Sequence, residues 1–299
     1  MTEHKNTTFR SGFVTLVGRP NAGKSTLINT LVGTKIAITS KAPQTTRHRL
    51  RGILTTAEAQ LIFVDTPGLH KPQDALGEEV NRSTYKALED TDVSVLLVDA
   101  SCPVGSGDLW IYDLLKDPII VLSKADLASP EQLDEQRKRL SAFTDINPLV
   151  LSAVSGEGTE EFLAEVTRHL PEGPLWFPAD THTDQPFETL IAEFIREKVL
   201  RSTFDEVPHA VGVQVNELKQ DQKRNLTSIE ATLFVERDSQ KGILIGKGGT
   251  VIKRIGSEAR ADLETLLATR VYLDLRVKVK KNWRRDSAQI RRFGYGEGS

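Results

Sequence analysis

The sequence predicts two domains: an α/β domain with a mostly parallel sheet and helices on both faces, then a smaller α+β domain. Three observations carry this. Over residues 12–170, near-continuous apolar runs of strand length alternate with helical segments, the order that builds a parallel sheet covered on both sides. From residue 187 the order becomes helix, strand, strand, helix, glycine loop, helix, strand. A length of 299 residues suits about two domains.

Composition narrows the class further. The chain is 38% hydrophobic and 27% charged, the balance of an ordinary globular protein with a sizeable core. Cys102 is the single cysteine, which excludes an internal disulfide framework and leads us to expect a reducing, cytoplasmic setting. No apolar run approaches the length of a membrane span, and the polar first ten residues do not read as a signal peptide. A formal net charge of −2 hides an asymmetry. Residues 241–295 hold fourteen Lys/Arg against five Asp/Glu, so a polyanion partner is expected at that end.

The first element is a buried strand at residues 13–17. It runs into Gly18-Arg19-Pro20-Asn21-Ala22-Gly23-Lys24-Ser25, and a helix follows over 24–32, with Thr26 in its first turn. This is the GxxxxGK[ST] pattern in the strand–turn–helix setting it needs. Its backbone N–H groups and the helix N-terminus make a cradle for phosphate. Lys24 is expected to reach the outer phosphates and Ser25 to ligate Mg²⁺. Residues 38–47 then read as a polar loop, in which Thr46, or else Thr45, offers a second hydroxyl for Mg²⁺. Strands follow at 50–54 and 60–64. The second ends in Asp65-Thr66-Pro67-Gly68, a carboxylate placed to act on Mg²⁺ through water and a glycine that lets backbone approach a terminal phosphate.

Helix 76–88, strand 93–98 and helix 107–115 continue the alternation. Strand 119–122 ends in Ser123-Lys124-Ala125-Asp126. The Asp126 carboxylate can accept both edge N–H groups of guanine, which adenine lacks. The Lys124 stem can cover the base. After helix 130–143, strand 148–151 ends in Ser152-Ala153, placed to offer a backbone N–H to the guanine carbonyl, and helix 159–169 closes the domain. Each motif follows a strand, where ligands bind in such sheets.

Several prolines over 171–186 read as a linker, so the expected domains are 1–175 and 187–299 with 176–186 between them. Phe187, Leu190, Ile191, Phe194, Ile195 and Val199 set a helix; 208–218 and 226–235 alternate as strands. A helix at 243–245 meets Gly246-Lys247-Gly248-Gly249, a second runs 250–268, and strand 271–279 ends the fold. A GxxG loop between two helices is the signature of a KH domain, and this element order is the type II arrangement. Lys247 would meet phosphate, Ile243, Ile245 and Val251 would floor a groove for bases, and Lys253 would add charge. Lys280 and Trp283 lie in a basic run where the indole either stacks on a base or docks on the domain.

On these residues the first 170 or so resemble a GTPase domain of the translation-factor-related class, and the whole chain resembles the Era family of bacterial GTPases. Gln44-Thr45-Thr46-Arg47 resembles that family's first switch, which implies Thr46 as the Mg²⁺ ligand; Asp65–Gly68 with Leu69-His70 resembles the second. One departure stands out: Ser123 replaces the Asn of the usual base-reading motif, so the brace it gives should be partial. The resemblance implies catalysis through Lys24, Thr46 and Gly68, with Asn21 coordinating K⁺, and slow turnover stimulated by K⁺ over Na⁺. It also implies binding to small-subunit ribosomal RNA near its 3′ end and a role in maturation of the 30S subunit. A monomer is expected, and the charge of the basic end allows weak peripheral attraction to a membrane, although the KH groove accounts for the same charges more specifically. Two rivals stand beside this reading. An RNA-dependent ATPase would show ATP competing with GTP, and a passive RNA-binding protein with a structural nucleotide site would show no phosphate release.

Overall fold

The computed structural model describes residues 8–40, 45–69, 75–204, 206–293 and 295. Gln44 and His70 lie outside the described residues. Two compact units are present. The first comprises residues 1–37, 49–70 and 81–184, and the second comprises 38–48, 71–80 and 185–299. Two short segments that the sequence reading assigns to the first domain therefore group with the second.

In the first unit, β1 (Arg10–Val17) leads to α1 (Lys24–Val32), then β2 (Leu50–Thr55), β3 (Ala59–Asp65), α2 (Ala75–Glu89), β4 (Val93–Asp99), α3 (Ser106–Tyr112), β5 (Ile119–Ser123), α4 (Pro130–Ser141), β6 (Leu149–Val150) and α5 (Thr159–His169). Residues 75–80 of α2, more than its first turn, group with the second unit. The sheet order is β2-β3-β1-β4-β5-β6, with β2 the single antiparallel member. All seven residues of β3 are buried, which is why that strand reads as a continuous apolar run rather than an alternation. β1 lies between β3 and β4, so the chain reverses direction across the sheet at the carboxyl end of β1, the place such sheets reserve for ligands.

The stretch read as a linker is stitched to this unit. Gln60, wholly buried, accepts from the N–H groups of Trp176 (2.7 Å) and Phe177 (3.0 Å) and donates to Phe177 O (2.8 Å). Ser11 Oγ donates to Pro174 O at 2.6 Å, and Trp176 meets Phe13 edge-on at 5.7 Å. A buried carboxamide must satisfy both its ends, and the proline-rich chain supplies the partners.

In the second unit, α6 (Phe187–Ser202) and α7 (Val207–Ala210) precede β7 (Gly212–Asp221) and β8 (Leu226–Val235). Then come α8 (Asp238–Ile245), α9 (Thr250–Leu267), β9 (Arg270–Val279) and α10 (Ser287–Arg292). The sheet order is β7-β8-β9; β8 and β9 run parallel, as the α8–α9 crossover requires. Phe194, Ile195, Leu233, Leu244, Ile255 and Leu263 centre its core, which also takes in Ile38. A second cluster joins Leu76 and Val80 to Trp283, Ile290, Phe293 and Tyr295. Asp286 caps α10 by accepting from Ala288 N and Gln289 N.

Trp283 is thus a core residue and not a stacking surface. It is fully buried, its indole N–H donates to Ala210 O at 2.9 Å, and Phe293 packs edge-on at 5.0 Å. The charges around it in sequence lie outside, while the ring turns inward. Tyr295 is buried in the same cluster.

Candidate nucleotide and nucleic-acid sites

The phosphate loop links β1 to α1. Gly23 caps the helix at φ 95°, and Asn21 stands at φ 66°. Asparagine tolerates that left-handed conformation better than most residues, so the turn itself gives a reason for Asn21. Gly18 has no room for a side chain: a Cβ would lie 2.4 Å from Leu97 O. At Gly68 it would lie 2.7 Å from Pro20 N, so the Asp65–Gly68 segment rests directly on the phosphate loop. Leu69, the next residue, is anchored among Val17, Leu96 and Val98.

Lys24 is buried, and its ammonium donates to the loop carbonyls of Gly18 (3.1 Å) and Arg19 (3.2 Å). Ser25 Oγ donates to Asp65 Oδ2 at 2.6 Å. Hydroxyl and carboxylate therefore converge where a divalent ion would take the hydroxyl directly and the carboxylate through water. Among the described residues no cluster of three or more His, Cys, Asp or Glu side chains can hold a metal. Thr46 belongs to residues 38–48, grouped with the second unit. Arg19, half exposed, pairs with Asp108 of α3 at 3.2 Å. That pair turns the Arg19 side chain toward α3.

Burial pushes the Lys24 ammonium down to about 8, against the opposing pull of Asp65. Bound phosphate would favour the charged form. Above pH 8 the free protein must therefore take up a proton to bind nucleotide, and affinity falls as pH rises. GDP titrated calorimetrically at pH 7.5, 8.5 and 9.5 should weaken progressively, approaching tenfold per unit at the top of the range. A pH-independent affinity would contradict this assignment.

At the base end, Ser123 Oγ lies 2.7 Å from Ala22 O and 3.1 Å from Val98 O. Its one proton serves the phosphate loop or the neighbouring strand, so serine supplies the brace to the loop and has no second donor for a base. Lys124 sits at φ 58° with Nζ 2.5 Å from Asp99 Oδ2, an arrangement that holds its stem in place. Burial works to raise the Asp99 carboxyl, yet the Lys124 and Ser101 hydrogen bonds outweigh it and hold the group below its usual range. Asp126 is exposed, and its Oδ1 accepts from Ser152 Oγ at 2.6 Å; that hydroxyl accepts in turn from Ser155 N. Thr30 of α1 donates to Ala153 O at 2.7 Å, tying this loop to the phosphate-loop helix. Thr66, wholly buried, donates to Leu16 O and fixes the start of the Asp65–Gly68 segment on β1.

In the second unit Gly246 has φ 71° and ψ 170°, a conformation open only to glycine, and a Cβ there would lie 2.5 Å from Val251 Cγ2. Gly248 and Gly249 are left-handed with open space where a Cβ would be. Lys247 and Lys253 are exposed, as is Ile243; Ile245 and Val251 are half-buried and Lys280 is partly covered. Beside the loop, a groove of about 360 Å³ runs between Ile252, Lys253, Gly256, Ser257 and Arg260 of α9 and Val271, Tyr272, Leu273 and Leu275 of the edge strand β9. Sequence reasoning missed this wall. The i, i+4, i+8 series Ile252, Gly256, Arg260 was the available signal, a stripe running from half-buried to exposed beside the core stripe of Ile255, Ala259 and Leu263.

A family model described as 50S ribosome-binding GTPase matches residues 13–124, and one described as KH domain matches 206–284. An Era crystal structure from Aquifex aeolicus, a variant bound to GDP·AlF4⁻, is 38% identical, covers 96% of this chain and 100% of its own, and superposes with a TM-score of 0.90. A structure of Era with MgGDPNP and nucleotides 1506–1542 of 16S ribosomal RNA is 39% identical over 96% of this chain and 99% of its own, again with a TM-score of 0.90. With a phosphate loop and a GxxG loop in one chain, and identity of this extent across both units, the chain belongs to the Era family of GTPases.

Proposed function

We infer that the chain is a GTP-hydrolysing switch that binds small-subunit ribosomal RNA near its 3′ end and acts in assembly of the 30S subunit in the cytoplasm. The observation that carries this is the presence, in one chain, of a guanine nucleotide site and a basic GxxG groove. The family relative bound to both MgGDPNP and 16S ribosomal RNA supports the RNA assignment. No helix among the described residues is long and apolar enough to cross a membrane.

Phosphoryl transfer to water needs charge neutralised and water aligned. Lys24 would leave the Gly18 and Arg19 carbonyls for the β- and γ-phosphates, trading neutral acceptors for charged ones. Ser25, Asp65 and Thr46 would hold Mg²⁺, which would neutralise the charge that develops on the phosphates. The Gly68 N–H would meet the γ-phosphate. Leu69 is anchored in the core and has no polar group to hold water, so backbone of the 38–48 loop takes that part. A slow basal rate follows. Asn21 as a K⁺ ligand belongs to the same reading and rests on family resemblance alone.

For the RNA half, Gly249→Asp adds an anion where the nucleic-acid backbone would pass; the space is open, but at φ 79° a side chain adds backbone strain, so melting is measured beside binding. Affinity for a 3′-terminal small-subunit rRNA oligonucleotide, read by fluorescence anisotropy, should fall at least about tenfold, and wild-type binding should weaken steeply with salt. Unaltered binding by the variant would remove the groove from the assignment.

A further inference from the structure

Within the first unit, the backbone of the loop after β5 is tied down on three sides. β4 and β5 pair in parallel with Asp99 opposite Ser123, and Ala100 N donates to Ser123 O at 2.9 Å. On the other side Ala125 N donates to Leu151 O at 3.1 Å. Ser123 spends its one hydroxyl proton on the phosphate loop or on β4. None of these contacts reaches the Lys124 side chain. Among the described residues its ammonium is held by Asp99: Nζ lies 2.5 Å from Oδ2, with both side chains only partly exposed.

Asp99 is itself fixed. Its other oxygen, Oδ1, accepts from Ser101 N (3.0 Å) and Ser101 Oγ (2.6 Å), which leaves Oδ2 aimed at the ammonium. Between its two ends the lysine stem passes the phosphate loop, with Cε 4.0 Å from where a Cβ on Gly23 would stand. A long, flexible side chain loses rotamer freedom when a ligand packs against it. A stem already held at both ends has lost that freedom before the base arrives. Charge alone points the other way, since a carboxylate beside a site for an anion weakens binding. The two effects therefore give opposite signs when the carboxylate is removed.

We propose that Asp99 is a positioning residue for guanine nucleotides: it holds the Lys124 ammonium and so keeps the aliphatic stem ready against the face of the base. This rests on the reading of Lys124 and Asp126 as the guanine-reading loop. Asp99 acts on the base only through Lys124, so its effect falls on ligands that carry a base and not on phosphate alone.

The test uses the full chain with Asp99→Asn, Lys124→Met, the two combined, and Asp126→Asn. Affinities for GDP and for inorganic pyrophosphate are measured by calorimetry, with melting beside them. In Asp99→Asn the amide oxygen keeps both Ser101 donors, so the amide nitrogen faces the ammonium, donor against donor. GDP should bind about fivefold to tenfold more weakly. Pyrophosphate, which has no base, should bind within about twofold of wild type or more tightly. A merely structural role for Asp99 weakens both ligands together; that result overturns the proposal, as does GDP affinity at or above that of wild type. Lys124→Met keeps an unbranched stem without the ammonium, so it should match Asp99→Asn, and the combined variant should lose nothing further. Single losses that multiply in the combined variant show Asp99 acting apart from Lys124 and overturn the proposal. Should Asp99→Asn fail to fold, folded Lys124→Met decides: weaker GDP with unchanged pyrophosphate supports a held stem, and wild-type GDP affinity overturns it. If Asp126→Asn binds GDP normally, the guanine-loop reading itself fails and the proposal goes with it. If Asp126→Asn weakens GDP while Asp99→Asn and Lys124→Met do not, only the positioning role fails.

Discussion

Asp126→Asn should weaken GTP and GDP binding by a factor of about 10² or more while leaving the fold intact. A carboxylate offers acceptors to both edge donors of guanine; an amide turns one of them into a donor that faces another donor. Sites built to pair a particular polar edge reject the wrong one by large factors, because a buried group is left unpaired. Asp126 is exposed in the absence of a base, so the substitution costs little in stability, and the Ser152 hydroxyl that orients it can still donate to the amide oxygen. Xanthine carries a carbonyl where guanine carries its amino group, so the variant should gain affinity for xanthosine diphosphate. Competition against a fluorescent guanine nucleotide measures both. Undiminished GDP binding, or ADP competing as well as GDP with the wild type, would contradict guanine recognition at this loop.

Trp283→Ala should destabilise the second unit by about 3–5 kcal/mol, the range for truncating a large core aromatic. The loss has three sources. The ring leaves a cavity against Phe293 and Tyr295, the Ala210 carbonyl loses its donor, and the Arg47 guanidinium, 6.0 Å from the indole centre, loses a face. Urea denaturation followed at the second unit's own transition would measure it. Trp283→Leu, which keeps apolar bulk but removes the aromatic face, discriminates the two roles the sequence leaves open. A base-stacking indole would cost RNA affinity about 1–3 kcal/mol when lost, whereas a core indole leaves RNA affinity within about twofold in the folded variant. An order-of-magnitude loss of RNA affinity with wild-type melting would contradict the core assignment.

How much of this was legible without coordinates differs between local and distant features. The phosphate loop, Asp65–Gly68, Lys124–Asp126 and Ser152–Ala153 each sit within a few residues of a strand end, so a linear pattern contains both the chemistry and its support. The GxxG loop is legible for the same reason, between α8 and α9. What escaped depends on partners far away in sequence. A basic run surrounding Trp283 suggests exposure, but the docking surface is made by Ala210, Phe293 and Tyr295. Prolines after residue 170 suggest a free linker, but Gln60, more than a hundred residues earlier, pairs with the backbone of Trp176 and Phe177 between them. Polarity over 38–48 suggests a loop of the first domain, and only the buried set Glu193, Arg196 and Glu197 on α6 shows what it packs with. The exchange of Asn for Ser123 was visible at once; that one hydroxyl still spans to Ala22 O was not.

The central claim is that the nucleotide held at the phosphate loop sets the grip of the GxxG groove on ribosomal RNA. The most direct measurement is the affinity of the full chain for a 3′-terminal small-subunit rRNA oligonucleotide, with Mg²⁺ and either GDPNP or GDP, at one fixed salt concentration. Binding about tenfold or more tighter with GDPNP is the predicted result, a coupling of at least ~1.4 kcal/mol. Equal affinities in the two states would contradict the account.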